Sequence, residues 1–193
     1  MRDADLAIRA IRDLGRRIVT FSGFSSNGYE DQSDVQRIIC EVLDKLDPRT
    51  DIVCSGATRM GIGAVYALAS SRGFESLGIV STRARKEHVP FADDVDIVYV
   101  IEDESWGGYI DKRGTPSPTS RVMVDVSDML VFIGGGDIAR DEYDYAKRRR
   151  KAVEFFVADA NHAAAIDQAR RRGEPAPTDF RGSLALHCEA ETK

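Results

Sequence analysis

The chain has 193 residues, 27 Lys+Arg against 32 Asp+Glu, and a formal net charge of -5. A chain of this size buries roughly 70% of its surface on folding, enough for a core without disulfides or a structural metal, and a 42% hydrophobic share excludes global disorder. The acidic balance excludes a broadly basic protein that coats nucleic acid, and no apolar run approaches the roughly 20 residues of a membrane helix.

The N-terminus, Met1-Arg2-Asp3-Ala4-Asp5, lacks the basic-then-apolar pattern of a signal peptide, so a cytoplasmic protein is expected. Cys40, Cys54 and Cys188 are odd in number and show no C-x-x-C spacing, which reads as reduced thiols. His187-Cys188 has no further ligands clustered beside it, so no metal and no resident cofactor are expected.

Helical stripes alternate with short apolar runs, the pattern of repeated βαβ units. Ala7, Ala10, Ile11 and Leu14 form a stripe ended by Gly15, Ile18 to Phe21 reads as a buried strand, and Ser22 to Glu30 as a loop. Ser33 and Gln36 have capping-box spacing ahead of Val35, Ile38, Ile39, Val42, Leu43 and Leu46, and Pro48 stops that run. Ile52 to Cys54 is a second strand, and the turn from Ser55 to Gly63 leads into a helix closing at Gly73.

Leu77 to Val80 and Val95 to Ile101 are apolar at consecutive positions, as strands covered on both faces should be. The connection from Glu102 to Pro118 is too long to be idle and reads as a lid or binding loop. A short helix from Arg121 to Val126 leads to the strand Met129 to Ile133, a helix from about Asp137 to Arg150 and a last strand, Val153 to Val157. Asn161 or Asp159 caps a final helix that Gly173 ends. The expectation is an α/β protein with a three-layer, Rossmann-like, doubly wound and mainly parallel sheet. A single domain over 1–173 would be followed by a partly ordered tail, 174–193, rich in proline and polar residues.

Three segments repeat the plan of strand, Gly/Ser-rich turn and helix. They supply Ser22, Gly23 and Ser25; Gly56, Ala57, Thr58, Gly61 and Gly63; and Gly134, Gly135, Gly136, Asp137 and Ala139 as candidate ligand-binding residues. All would lie at the carboxyl edge of the sheet, where glycine lets the backbone approach a ligand and helix N-termini favour anions, phosphate first among them. Glycines also punctuate any βα turn. Neither a Walker A sequence nor a G-x-G-x-x-G fingerprint is present.

Phe21-Ser22-Gly23 with Ser25-Ser26, the Gly61-x-Gly63-Ala64-Val65 helix start, and Ser127-Asp128 followed by a strand and Gly134-Gly135-Gly136 with Glu142 resemble the SLOG superfamily, which contains the Lonely Guy proteins. The resemblance spans about Arg17 to Asp159 and implies a Rossmann-like sheet, commonly a homodimer or higher homo-oligomer, that binds a nucleotide or phosphorylated nucleoside. In Lonely Guy enzymes it further implies phosphoribohydrolase activity. Gly135, Gly136 and Glu142 match the family signature; Gly134 stands at its proline, and Ile138-Ala139 stand at its Gly-Thr pair.

On that resemblance Glu142 would handle ribose hydroxyls or activate water, and Arg121, two positions nearer to Ser127-Asp128 than the family's arginine, would bind the ligand and stabilise negative charge. Glu142 also fits an acid placed near a helix start by the macrodipole, and Arg121 a solvated helix face. A noncatalytic nucleotide sensor or interaction module is the alternative function, supported by Ile138 and Ala139. Arg83, Arg85, Lys86 and His88 read as a solvated cluster or a phosphate clamp, Lys147 to Lys151 as cations at a helix C-terminus, and Trp106 as a base-stacking or dimer residue.

Overall fold

The computed structural model describes residues 3–191. Six strands, β1 (Arg17–Gly23), β2 (Asp51–Ser55), β3 (Glu75–Ser81), β4 (Ile97–Ile101), β5 (Met129–Ile133) and β6 (Ala152–Phe156), form one sheet in the order β4-β3-β2-β1-β5-β6. All five pairings are parallel, as the near-continuous apolar strands require. The expected α/β Rossmann-like, doubly wound architecture is present.

Side chains alternate between the two faces with the period of a strand. Val19, Phe21, Val53, Val131 and Ile133 pack with α2 (Gln32–Leu43) and α3 (Ala64–Ser70), and Ala165 of α7 (His162–Arg172) packs on the same cluster. Ile18, Ile52, Cys54, Leu77 and Ile79 point the other way, onto α1 (Ala4–Arg12) and α5 (Pro118–Val126). Leu130 and Phe132 continue that second layer under α6 (Asp137–Arg148) and α8 (Gly182–Glu191). A short helix α4 (Thr82–Lys86) follows β3 directly.

Several boundaries differ from the sequence reading, each for a local reason. Asp31, not Ser33, caps α2: its carboxylate accepts from the Asp34 amide at 2.9 Å, so the helix starts earlier than the capping-box spacing suggests. Ser117 caps α5 and Pro118 takes its first turn, where a missing N–H is tolerated, so that helix begins three residues before Arg121. A 3-10 turn, Gly61–Gly63, precedes α3, which ends at Ser70 and leaves Gly73 outside it at φ +76°.

The largest difference lies in the tail. Residues expected to be partly ordered carry α8, whose Leu184 is fully buried among Val124, Phe132, Ala139 and Tyr143. Its 10 residues mix apolar and polar types with little one-sided pattern, so periodicity gives no warning of it. The Leu184 amide donates to the Gly135 carbonyl at 3.2 Å, tying the C-terminal segment to the third glycine turn. Leu184→Ala is therefore expected to destabilise the protein by about 3 kcal/mol, the usual range for a buried leucine. Denaturant unfolding would read this directly, and a loss under about 1 kcal/mol would show that α8 is peripheral to the core.

Candidate functional site

After β1 the chain builds outward to β2, β3 and β4, then crosses back to place β5 on the other side of β1. That reversal puts the topological switch point between the carboxyl ends of β1 and β5, where open α/β sheets form their ligand crevice. Gly23 and Ile133 are register partners there. The Ser22 loop, the Gly134-Gly135-Gly136 turn and the start of α6 meet at this point.

Ala139, Glu142, Tyr143 and Ala146 form the buried stripe of α6, so Glu142 occupies a position that helical spacing reserves for an apolar side chain. It is only 5% exposed. Ser22 Oγ donates to one carboxylate oxygen at 3.0 Å and Ser120 Oγ to the other at 2.8 Å. Burial pushes the Glu142 carboxyl up from 4.5 to about 7; the Ser120 and Ser22 hydroxyls oppose the rise and the charge of Asp141 adds to it. The result is an acid that exchanges its proton near neutrality, the property general acid–base work requires. Its placement has nothing to do with the helix dipole, because it lies beyond the first turn and faces the sheet.

Ser120 was not among the sequence candidates. Its signal was its place on a buried helical stripe, four residues before Val124, which is also buried. A hydroxyl on such a stripe needs a partner, and Glu142 and the Gly108 amide, which donates to Ser120 Oγ at 2.8 Å, satisfy it.

The glycines divide sharply by what faces them. A Cβ at Gly23 would lie 2.1 Å from Tyr29 Oη and 2.4 Å from the Ile133 carbonyl, because the Tyr29 hydroxyl threads between the loop and β5, donating to Ile133 O at 2.8 Å and accepting from the Phe24 amide at 3.1 Å. Gly61 packs on the Phe24 and Ser25 carbonyls, Gly63 on the Thr58 carbonyl, Gly134 on the Phe24 ring and Ala158, and Gly135 on Ala139. Protein atoms thus account for five of the glycines read as ligand cradles. Only Gly56 and Gly136 of that set face open space.

Gly136 caps α6 with no side-chain hydrogen bond, leaving the first-turn N–H groups uncapped by protein. Asp137 pairs with Arg140 at 2.9 Å, and Ala139 is buried behind Gly135. Ala57 sits in the left-handed region at φ 52°, its amide held by Tyr66 Oη at 2.9 Å and its carbonyl by the Ala92 amide at 2.9 Å. Ser25 and Gly56 are exposed and Thr58 is half-buried.

Arg121 does not join Glu142. Its guanidinium pairs with Asp5 of α1 and approaches Asp125 at 3.7 Å, the helix-surface arrangement. Trp106 is 42% exposed with the Arg83 guanidinium 5.0 Å above its ring, and Lys86 pairs with Glu104. Among the described residues no group of three or more His, Cys, Asp or Glu is arranged to hold a metal ion, and no helix is long and apolar enough to cross a membrane.

No family model and no curated protein matches the chain. Solved structures do. The protein TM1055 is 19% identical over 71% of this chain and 72% of its own, with a TM-score of 0.52. The molybdenum cofactor carrier protein from Chlamydomonas reinhardtii is 16% identical over 92% of this chain and 99% of its own, with a TM-score of 0.53. These likenesses show the fold: this chain is a Rossmann-like α/β protein of the kind its resemblance to the SLOG superfamily implies.

Proposed function

We propose that the chain binds a nucleotide or nucleoside monophosphate at the carboxyl edge of the sheet, with phosphate on the uncapped start of α6 at Gly136 and the sugar toward Glu142. The observation that carries this reading is Glu142 itself, a carboxyl group buried at the switch point and held by Ser22 and Ser120. A buried carboxyl destabilises a fold unless its neighbours compensate fully, and it stands beside the one helix start in the crevice that glycine leaves open.

If the ligand is cleaved, water attacks the anomeric carbon as the bond to the base nitrogen breaks with its electron pair. Ionised Glu142 takes the proton from water, and the departing base acquires a proton as it leaves. A second reading is that the ligand is held intact. Arg121 pairing with Asp5 and Asp125, and Ile138 and Ala139 in place of Gly-Thr, favour it. The similarity in fold to a protein named for carrying the molybdenum cofactor supports carriage as the same type of activity.

A thermal-shift screen of nucleoside mono-, di- and triphosphates and of the molybdenum cofactor, followed by chromatography for released base, separates the two. Saturation at about 100 times Kd should add roughly 2.7 kcal/mol of stability. Stabilisation with release of base is expected for the hydrolase, and stabilisation without release for the carrier or sensor. No shift with any nucleotide would overturn the nucleotide assignment.

A further inference from the structure

Glu142 is almost wholly buried, yet it is the group best suited to meet a ligand. The obstruction is the segment between β4 and α5. A Cβ built on Gly107 would lie 3.1 Å from Ser120 Oγ, 3.1 Å from Ile138 Cγ2 and 3.9 Å from Glu142 Oε1, so this backbone lies directly over the carboxylate. Gly107 and Gly108 have φ values of +121° and +77°, backbone that only glycine adopts readily, and they sit between a fixed stem and a projecting tip.

The stem is stapled around the buried Asp103. The Asp103 carboxylate accepts from the Ser105 amide at 2.8 Å, the Ser105 hydroxyl at 2.7 Å and the Thr119 amide at 3.0 Å, closing both ends of the segment on one side chain. Thr82 Oγ1 donates to the Asp103 carbonyl at 2.7 Å, which fixes that side chain's own backbone to the end of β3.

The tip is held differently. Between it and α6 lies a cleft of about 630 Å³, lined on one side by Tyr109 to Gly114 and on the other by Arg140, Asp141, Asp144 and Arg148. Polar links bridge the gap in place of apolar packing. The Tyr109 amide donates to Asp141 Oδ2 at 2.9 Å, its hydroxyl donates to Asp144, and Arg148 donates to that hydroxyl and to the Gly114 carbonyl at 2.8 Å. Ile110, at the tip, is 60% exposed. The Arg148 bonds are exposed to water and the Tyr109 bonds part-buried, whereas the stem's Thr82 and Thr119 bonds to Asp103 are buried. Local opening is confined to segments with few buried apolar contacts, and this tip is such a segment.

We infer that residues 106–116 are a lid over Glu142, closed here, hinged at Gly107-Gly108 and latched by Tyr109 on the Asp141, Asp144 and Arg148 face of α6. Opening lifts Gly107 off the carboxylate and breaks both bonds of Gly108 to the start of α5, its amide to Ser120 Oγ at 2.8 Å and its carbonyl from the Ser117 amide at 2.8 Å, leaving Ser120 free to turn toward a ligand. The lid is a property of the chain without ligand. Its failure would leave the nucleotide reading in place, and an empty nucleotide screen would leave the lid in place.

Two variants of the full chain test it. Tyr109→Phe removes the latch hydroxyl and keeps the ring; Gly107→Ala crowds the closed position at a φ alanine resists. Each is expected to speed amide exchange over 107–114 by roughly tenfold with residues 102–105 and 119–122 unchanged. Acrylamide quenching of the single tryptophan, Trp106, and carbodiimide labelling of Glu142 should rise with it. Unchanged exchange and labelling in both variants would overturn the lid. So would acceleration spread equally over the stem and α5, which would mean that the region opens only by unfolding.

Discussion

Glu142→Gln is expected to make the protein more stable at pH 8 and to leave its stability at pH 4 nearly unchanged. The fold raises the Glu142 carboxyl from 4.5 to about 7 because burial penalises the charged form more than two serine hydroxyls repay it. A raised carboxyl favours the folded state while it is protonated. Its contribution is therefore complete below pH 4.5, is lost as pH climbs to about 7, and stays lost above that. At about 1.4 kcal/mol for each pH unit, the interval corresponds to a loss on the order of 3 kcal/mol. Glutamine keeps the shape and remains neutral: its oxygen accepts from one serine and its amide donates to the other. Denaturant unfolding of both proteins from pH 4 to 8 reads the difference, since every other titrating group is common to the pair. Parallel curves would show that Glu142 is ionised without penalty, and with that the case for a neutral-range acid at the switch point would fail. Loss of any base release in the same variant would place Glu142 in the reaction as well as in the crevice.

The strands and their parallel pairing were legible because burial on both faces leaves a simple mark, consecutive apolar residues such as Leu77 to Val80 and Met129 to Ile133. The crevice was legible for a related reason, since the turns after β1, β2 and β5 must converge once the sheet is parallel. What the glycines do there was not. Gly23 and Gly135 look alike in one dimension, and only the threading of the Tyr29 hydroxyl and the packing of Ala139 and Leu184 reveal that protein, not ligand, occupies the space beside them. Ser120 was missed because the sequence reading starts that helix at Arg121, one residue after it, and α8 because its residues show little one-sided pattern. Each is fixed by a residue distant in sequence: Ser120 by Glu142 and Leu184 by Gly135. Arg121 could be placed on a helix from its neighbours, but the choice between Glu142 and Asp5 as its partner depends on how α1 packs on α5.

Gly135→Trp looks, from the sequence, like a variant that blocks the cradle and spares the fold. With phosphate on the start of α6, as proposed, that outcome belongs to the next residue. Gly135 adopts φ +133°, and a Cβ there would lie 2.5 Å from that of Ala139, so any side chain pushes apart the turn and α6. Gly136 has open space around it and an ordinary φ of -88°. Gly136→Asp should therefore fold normally. Its carboxylate can accept from the first-turn amides as a helix cap, which leaves stability level or raises it by a few tenths of a kcal/mol, and its charge favours the helix start. The same carboxylate occupies the donors a phosphate would use and repels it. Affinity for the phosphorylated ligand should fall by about 100-fold, the scale of losing charge-assisted bonds at a helix N-terminus. Calorimetric titration beside thermal unfolding gives both numbers from one preparation. Opposite signs, binding down and stability level or up, are what separates a ligand site from a structural turn. Undiminished affinity would move the phosphate away from α6 to the other open turn, at Gly56.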